Sequence, residues 1–304
     1  MRMIEIIFLG TGASVPSRSR MLPCIVLRRK DELIVFDCGE GAQYRFLQSG
    51  LGVNKKMVIL ISHMHGDHVF GLPGLITTMS FLGRTKPLTI IGPPGIKKFL
   101  NCVLKTIPHH IRYDISVYEK EPGVVYEADE YIIEAYETEH SVTNYAYVFK
   151  EKERPGKFHP DKAMKLGVPK GPLWKKLQMG FPVVLEDGRI IRPEDVLGPP
   201  RKGIKIVYTG DTGPCEDIIS ACKEADVIIH EATYSSELTE KALKEGHSTT
   251  VMAAETAKRC KAKMLILTHI SARYEGLEDK LLEEAKRIFE NTILAYDGLK
   301  VTVK

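Results

Sequence analysis

The sequence predicts an α/β protein in which sheets are enclosed by helices. Three observations carry that prediction. Short apolar runs, each long enough for one strand, recur along the 304 residues. Segments of helical period fall between many of them. Several of the runs also end in the same polar, glycine-rich punctuation, as expected where strands feed residues into one rim.

The strands are expected at 4–9, 33–36, 57–61, 88–91, 131–136, 145–149, 204–208, 227–229 and 264–267. Helical patterns lie near 42–49, 68–82, 94–105, 215–223, 236–245, 249–260 and 277–289. The first strand runs into Gly10-Thr11-Gly12, the second into Asp37-Cys38-Gly39-Glu40-Gly41, and later ones into Gly210-Asp211-Thr212-Gly213, His230-Glu231-Ala232-Thr233 and Thr268-His269. Val58 to His63 echoes Leu265 to His269, an apolar strand ending in a hydroxyl residue and then histidine, which hints at two related halves.

Residues 151–180 break this rhythm. They hold Pro155, Pro160, Pro169, Pro172 and four glycines, which predicts a protruding insertion with short helices near 161–166 and 173–178 and no separate core. A second Pro/Gly-rich stretch, 193–203, is expected to return the chain to the sheet. The chain carries a net charge of +4, and residues 150–180 alone hold nine basic and three acidic groups. On charge alone this segment is either a solvated face, the commoner case, or the footprint of a polyanion.

The 43% hydrophobic content is that of an ordinary globular chain, and no apolar run approaches the ~18 residues of a membrane span. The start reads as a strand and turn, not a signal peptide. Six cysteines (24, 38, 102, 215, 222 and 260) without CxxC spacing read as small buried hydrophobes in a reducing compartment, with the cytoplasm as the expected location.

Chemistry concentrates at His63-Met64-His65-Gly66-Asp67-His68, directly after the 57–61 strand. Extended chain sends His63 and His65 to one side. Gly66 permits a sharp turn, and Asp67 can open a helix that also presents His68. Imidazole and carboxylate suit zinc, with manganese or iron as alternatives. Two metals need more donors, and His140, Asp211 and His269 stand at other strand ends. The expected arrangement gives one ion His63, His65, His140 and a bridging Asp211. It gives the second Asp67, His68, His269 and Asp211, with a water or hydroxide between the two ions. Asp37 is expected to orient a histidine through the other ring nitrogen.

These residues resemble the HxHxDH signature of the metallo-β-lactamase fold superfamily. Within it, Phe8 to Gly12, Asp37 to Gly41, Thr209 to Thr212, His230-Glu231-Ala232-Thr233 and His247-Ser248-Thr249-Thr250 resemble ribonuclease Z, the family that trims the 3′ trailer of precursor tRNA. The resemblance implies one nuclease domain over 1–304, an αβ/βα sandwich of two mixed sheets flanked by helices, with a basic arm at about 151–180. It implies two Zn2+ per subunit, a homodimer and a precursor-tRNA substrate. Asp67 would serve as general base and His247, held by Glu231, as general acid. Arg273 would contact phosphate, and Gly171-Pro172 with Lys170, Lys175 and Lys176 would belong to the arm that grips RNA. One departure is Met21, where relatives often carry asparagine in the loop after the first strand.

Two other readings use the same residues. A di-metal phosphodiesterase or thioesterase acting on small molecules would need the donors but not the basic insertion. A non-catalytic RNA-binding subunit would need neither His247 nor Glu231.

Overall fold

A computed structural model describes residues 3–106 and 111–304. Met1 and Arg2, part of the stretch weighed above as a possible leader, lie outside the described residues. Two compact units emerge, one formed by 1–128, 132–149 and 204–304, the other by 129–131 and 150–203.

The larger unit is built on two seven-stranded mixed sheets. The first runs Lys300–Val303, Ile4–Gly10, Cys24–Arg29, Glu32–Phe36, Lys56–Leu60, Leu88–Gly92, Ile115–Glu119. It is antiparallel through Glu32–Phe36 and parallel beyond. The second runs Thr292–Leu294, Leu265–Thr268, Val227–Glu231, Lys205–Tyr208, Tyr145–Glu151, Tyr131–Glu137, Gly123–Glu127. Its first four strands are parallel, and the last pair is antiparallel.

Alternation along the strands divides the apolar side chains between two layers. Ile7, Leu9, Val26, Leu33, Val35, Met57, Ile59 and Ile61 pack under the helices Ala42–Gln48, Gly71–Phe81 and Ile96–Thr106. The intervening Phe8, Ile25, Leu27, Ile34, Phe36 and Leu60 are equally buried. Phe36 stacks on Tyr147 and Tyr208 of the second sheet, at 6.2 and 5.2 Å between ring centres. The second sheet packs its other face on Glu216–Cys222, Thr250–Arg259 and Glu278–Lys286. Each expected strand and helix has a counterpart, with boundaries shifted by a few residues.

Several strands have no sequence signal in the reading above. Cys24–Arg29 ends in two arginines, and its charge is matched across the ladder, where Arg28 pairs with Glu5 at 2.6 Å. The pattern near 68–82 is two helices, Gly66–Val69 and Gly71–Phe81. The break falls where Gly71 N donates to Cys38 O and Cys38 N donates to His68 O. A Cβ on Gly71 would stand 1.9 Å from Gly39 O, so only glycine permits this approach. Four of the cysteines are buried, but Cys215 is half-buried and Cys102 exposed, and all six are free thiols.

The smaller unit departs from the expected coreless insertion. Ala163, Val168, Leu177, Val183, Leu185, Ile191 and Val196 form their own buried cluster, with Phe158, Leu173 and Trp174 against it. The helices Pro160–Lys165 and Pro172–Gln178 lie where expected. Residues 193–203 do not simply return the chain. Isolated bridges pair Arg154 with Arg201 and Phe158 with Leu197, so this stretch closes the unit. Its apolar residues are spaced by prolines, glycines and lysines, and no periodic run reveals them.

Candidate metal centre

The donor side chains stand where strands of the two sheets end. His63 follows Lys56–Leu60, and His65 caps the short helix that carries Asp67 and His68. His140 follows Tyr131–Glu137, Asp211 follows Lys205–Tyr208, and His269 follows Leu265–Thr268. All seven expected donors converge. Four triads have one ligand atom from each residue within 4.8 Å of the others: His63, His65, His140; His63, His68, Asp211; Asp67, His68, His269; and Asp211, His247, His269. Asp211 joins two of them. The last triad includes His247, which the sequence reading kept for another role.

Ring protons are pinned on the far side of the histidines. His68 Nδ1 donates to Asp37 Oδ2 (2.7 Å), His140 Nδ1 to Gly246 O (2.8 Å) and His269 Nδ1 to Thr233 Oγ1 (2.8 Å). The inward nitrogens then face one another. His68 Nε2 lies 3.3 Å from His269 Nε2, and His65 Nδ1 lies 3.0 Å from His63 Nε2 and 3.3 Å from His140 Nε2. Donor atoms crowded this closely outline positions that a cation would fill. Asp211 makes the same point, because its Oδ1 is buried with no hydrogen-bond partner. A buried carboxylate oxygen left without a partner is costly, and a divalent ion is the partner this donor set fits.

The surroundings set the charges. Burial drives His63 well below the usual imidazole range, with His68 adding to the effect, and burial likewise lowers His140. Both are therefore neutral donors. Burial works to raise Asp67 and Asp211, but neighbouring His269 and His68 outweigh it and hold both carboxyls well below the carboxylate range.

Asp37 is the buried hub behind the histidines. It accepts from Ser62 N, Ser62 Oγ, His68 Nδ1 and Tyr208 Oη at 2.6–2.8 Å. Asp37, His269 and Ser14 all take left-handed backbone conformations, with φ of 57°, 56° and 60°. Such non-glycine strain costs of order 1–3 kcal/mol per residue and concentrates at functional sites. Ser14 N in turn donates to Asp67 Oδ2 at 2.9 Å.

Beside the donors lies a second constellation. His247 Nδ1 meets Glu231 Oε1 at 2.9 Å. Glu231 is 1% exposed and also accepts from Thr212 N, Ser248 N, Thr233 N and Thr233 Oγ1. Burial opposes a charge on His247, but Glu231 more than compensates and pushes it up to about 9. Thr233, Tyr208, Ser62 and the Gly246 carbonyl were missed from sequence. The first stood in plain view in His-Glu-Ala-Thr, whereas a backbone carbonyl leaves no signal.

The remaining expected residues divide between the units. Arg273 is exposed, its guanidinium 5.1 Å from the Tyr234 ring centre. Lys170, Gly171, Pro172, Lys175 and Lys176 belong to the smaller unit and are exposed. Gly171 sits at φ 135° ahead of the Pro172 helix. Met21 donates its backbone N–H to Asp297 Oδ2 at 2.7 Å. A backbone donor serves with any side chain except proline, so methionine keeps the loop anchored.

Known proteins with this frame fall into a consistent set. Residues 4–154 match a family model described as anti-Pycsar protein Apyc1, and 180–270 one described as a beta-lactamase superfamily domain. Ribonuclease Z of Methanosarcina acetivorans is 43% identical over 301 residues, covering 99% of this chain and 98% of that protein. Ribonuclease Z of Bacillus subtilis is 42% identical over 304 residues, covering 99% of each. The solved structure of human tRNase Z, short form, matches with a TM-score of 0.72 at 28% identity over 98% of both chains. With identity of this extent along the whole chain, and the two-sheet frame in place, the chain belongs to the ribonuclease Z family of the metallo-β-lactamase fold superfamily.

Proposed function

We propose that the protein is an endoribonuclease that removes the 3′ trailer from precursor tRNA, using two divalent metal ions, zinc by preference. The observation that carries this is the shared buried Asp211, with its unpartnered oxygen, set between two groups of histidines and next to the Glu231–His247 pair. His63, His65, His140 and Asp211 would hold one ion; Asp67, His68, His269 and Asp211 the other. When bound, such a pair supplies Lewis acidity toward the phosphate and a nucleophilic water at neutral pH.

The chain's own residues do the rest. Asp37, Thr233 and the Gly246 carbonyl fix the orientation of three histidines, so that their other ring nitrogens face the metal positions. Asp67, held as a carboxylate, accepts a proton from the attacking water. His247 has Nδ1 engaged by Glu231, which leaves Nε2 to deliver a proton to the departing 3′ oxygen. The products are a tRNA ending in a 3′ hydroxyl and a trailer beginning with a 5′ phosphate.

The smaller unit, with exposed Lys170, Lys175 and Lys176, takes the role of the RNA-gripping arm, contacting phosphate rather than bases. The chain is read as one nuclease domain with this arm inserted, working in the cytoplasm as a homodimer. Exposed Tyr44, Leu47, Phe81 and Leu82, 58%, 45%, 82% and 54% accessible, support self-association through the Ala42–Gln48 and Gly71–Phe81 helices. Among the described residues no helix is long and apolar enough to cross a membrane.

The test is incubation of the zinc-loaded protein with a trailer-bearing precursor tRNA and, separately, with a small chromogenic phosphodiester. A single cut near the mature 3′ end is expected, with KM raised when Lys170, Lys175 and Lys176 are replaced by alanine. Hydrolysis of the small diester with precursor tRNA left intact would instead establish the small-molecule phosphodiesterase.

A further inference from the structure

We propose that Ser62 is a positioning residue of the metal centre. Its hydroxyl links Asp37 to His63, so that one buried carboxylate orients a donor of each ion. The inference rests on the two-ion reading of the site and is independent of which substrate is cleaved.

Ser62 lies between the Lys56–Leu60 strand and the first donor, and it is 0% exposed. Its backbone is held on both sides. Ser62 N donates to Asp37 Oδ1 at 2.7 Å, and Ser62 O accepts from Tyr145 N at 3.0 Å. The side chain is then confined to a narrow space. Ser62 Oγ lies 2.8 Å from Asp37 Oδ2, 3.0 Å from His63 Nδ1 and 3.4 Å from His68 Nδ1.

A hydroxyl carries a single proton, and this assigns the roles. Asp37 is met by Ser62 N, Ser62 Oγ, His68 Nδ1 and Tyr208 Oη, and it accepts from each. The Ser62 hydroxyl proton is therefore directed at Asp37 Oδ2. Toward His63 the serine oxygen has only lone pairs left, so Nδ1 of that ring is the donor. The ring's Nε2 stands on the opposite side, 3.0 Å from His65 Nδ1 and 3.7 Å from Asp211 Oδ2. His68 needs no such link, because its Nδ1 reaches Asp37 Oδ2 directly at 2.7 Å.

The two rings belong to different donor groups. His63 stands with His65 and His140, and His68 with Asp67 and His269. Asp37 thus acts on both groups, once directly and once through Ser62. Packing does not account for the hydroxyl. A Cβ on Gly210 would stand 2.9 Å from Ser62 Cβ, so the space admits a small side chain, and alanine would fill it as well. Satisfying a buried hydroxyl does not account for it either. The bond to Asp37 does that alone, with no need of a ring nitrogen.

The experiment compares full-length wild type, Ser62→Ala and Asp37→Asn, each stripped of metal and titrated with zinc against a competing chelator. Wild type is expected to take up two ions. Ser62→Ala should bind one of them about 10-fold more weakly and the other within about 3-fold of wild type. Asp37→Asn should weaken both by about 10–100-fold, since asparagine tolerates the left-handed φ of 57° at this position. Imidazole NMR of the zinc-loaded, isotope-labelled proteins supplies a reading that packing would not move. Ser62→Ala should lose one slowly exchanging Nδ1–H signal from the wild-type set. Two ions bound at wild-type affinity by Ser62→Ala, equal weakening of both, or an unchanged set of Nδ1–H signals overturns the proposal. A His63 ring protonated on Nε2 in zinc-loaded wild type overturns it as well, whatever the variants do. Uptake of fewer than two ions by wild type removes the two-ion reading itself, and the proposal with it.

Discussion

Gly246 illustrates how much a single residue without a side chain can fix. It ends the Thr239–Glu245 helix in a left-handed conformation, φ 70°, and its carbonyl accepts from His140 Nδ1. A Cβ there would stand 3.1 Å from His140 Cα and 3.2 Å from its Nδ1. Gly246→Ala should therefore strain the cap by roughly 1–2 kcal/mol and disturb a metal donor at once. A 10–100-fold loss of metal affinity is expected, read by competition with a chelator. At the neighbouring residue, His247 is pushed up to about 9 by Glu231. A raised folded-state value means that the pair's stabilisation is complete below the unfolded imidazole value of about 6.5 and is lost as pH rises through about 9. In metal-free protein the His247 imidazole should titrate near 9 by NMR. The melting-temperature advantage of wild type over His247→Gln should shrink between pH 7 and pH 10. An imidazole that titrates near 6.5 would show that Glu231 does not hold the charge.

At the scale of elements, loops at both ends of the strands are tied by side chains the hydrophobic pattern does not reveal. Arg84 is 0% exposed and donates to the carbonyls of Val53, Lys55 and Pro87, with its guanidinium 5.2 Å from the Tyr113 ring centre. It fastens the turn before Lys56–Leu60 to the entry of Leu88–Gly92. Arg84→Ala leaves those carbonyls buried and should cost about 3 kcal/mol, measured by urea denaturation. Arg20 plays a comparable part: its guanidinium donates to Thr11 Oγ1 and Ala295 O, and Asp297 accepts from Thr11 Oγ1 and Met21 N. These ties hold the segment whose Ser14 N reaches Asp67. The periodic strands and helices of the larger unit were legible because burial on one face repeats every two or three to four residues. The staples, the Cys24–Arg29 strand and the core of the smaller unit were not, because their residues are polar, end in charge, or are separated by proline and glycine.

For the whole molecule, the donor set joins the two sheets. His63, His65, Asp67 and His68 follow a strand of the first sheet; His140, Asp211 and His269 follow strands of the second. A bound ion is then a cross-link that exists only in the folded state. At a free metal concentration 1,000-fold above Kd such binding contributes about 4 kcal/mol. Stripping the metal should lower the melting temperature by roughly 10 °C, and adding zinc should restore it. Calorimetry of chelator-treated and reconstituted protein checks this. Equal melting temperatures would mean that the seven side chains do not hold an ion tightly.

The sequence by itself determined the strand and helix periodicity, the HxHxDH cluster and the rim residues His140, Asp211 and His269, because metal chemistry restricts residue type and strands restrict position. It also carried His247 and Glu231 within recognisable strings. Tertiary structure alone decided which ring nitrogens keep their protons, since Asp37, Thr233 and the Gly246 carbonyl act across long sequence separations. It also decided that Asp211 Oδ1 is left without a partner and that 150–203 buries a core of its own. These are properties of distances between residues far apart in the chain, which one-dimensional patterns of type and spacing do not encode.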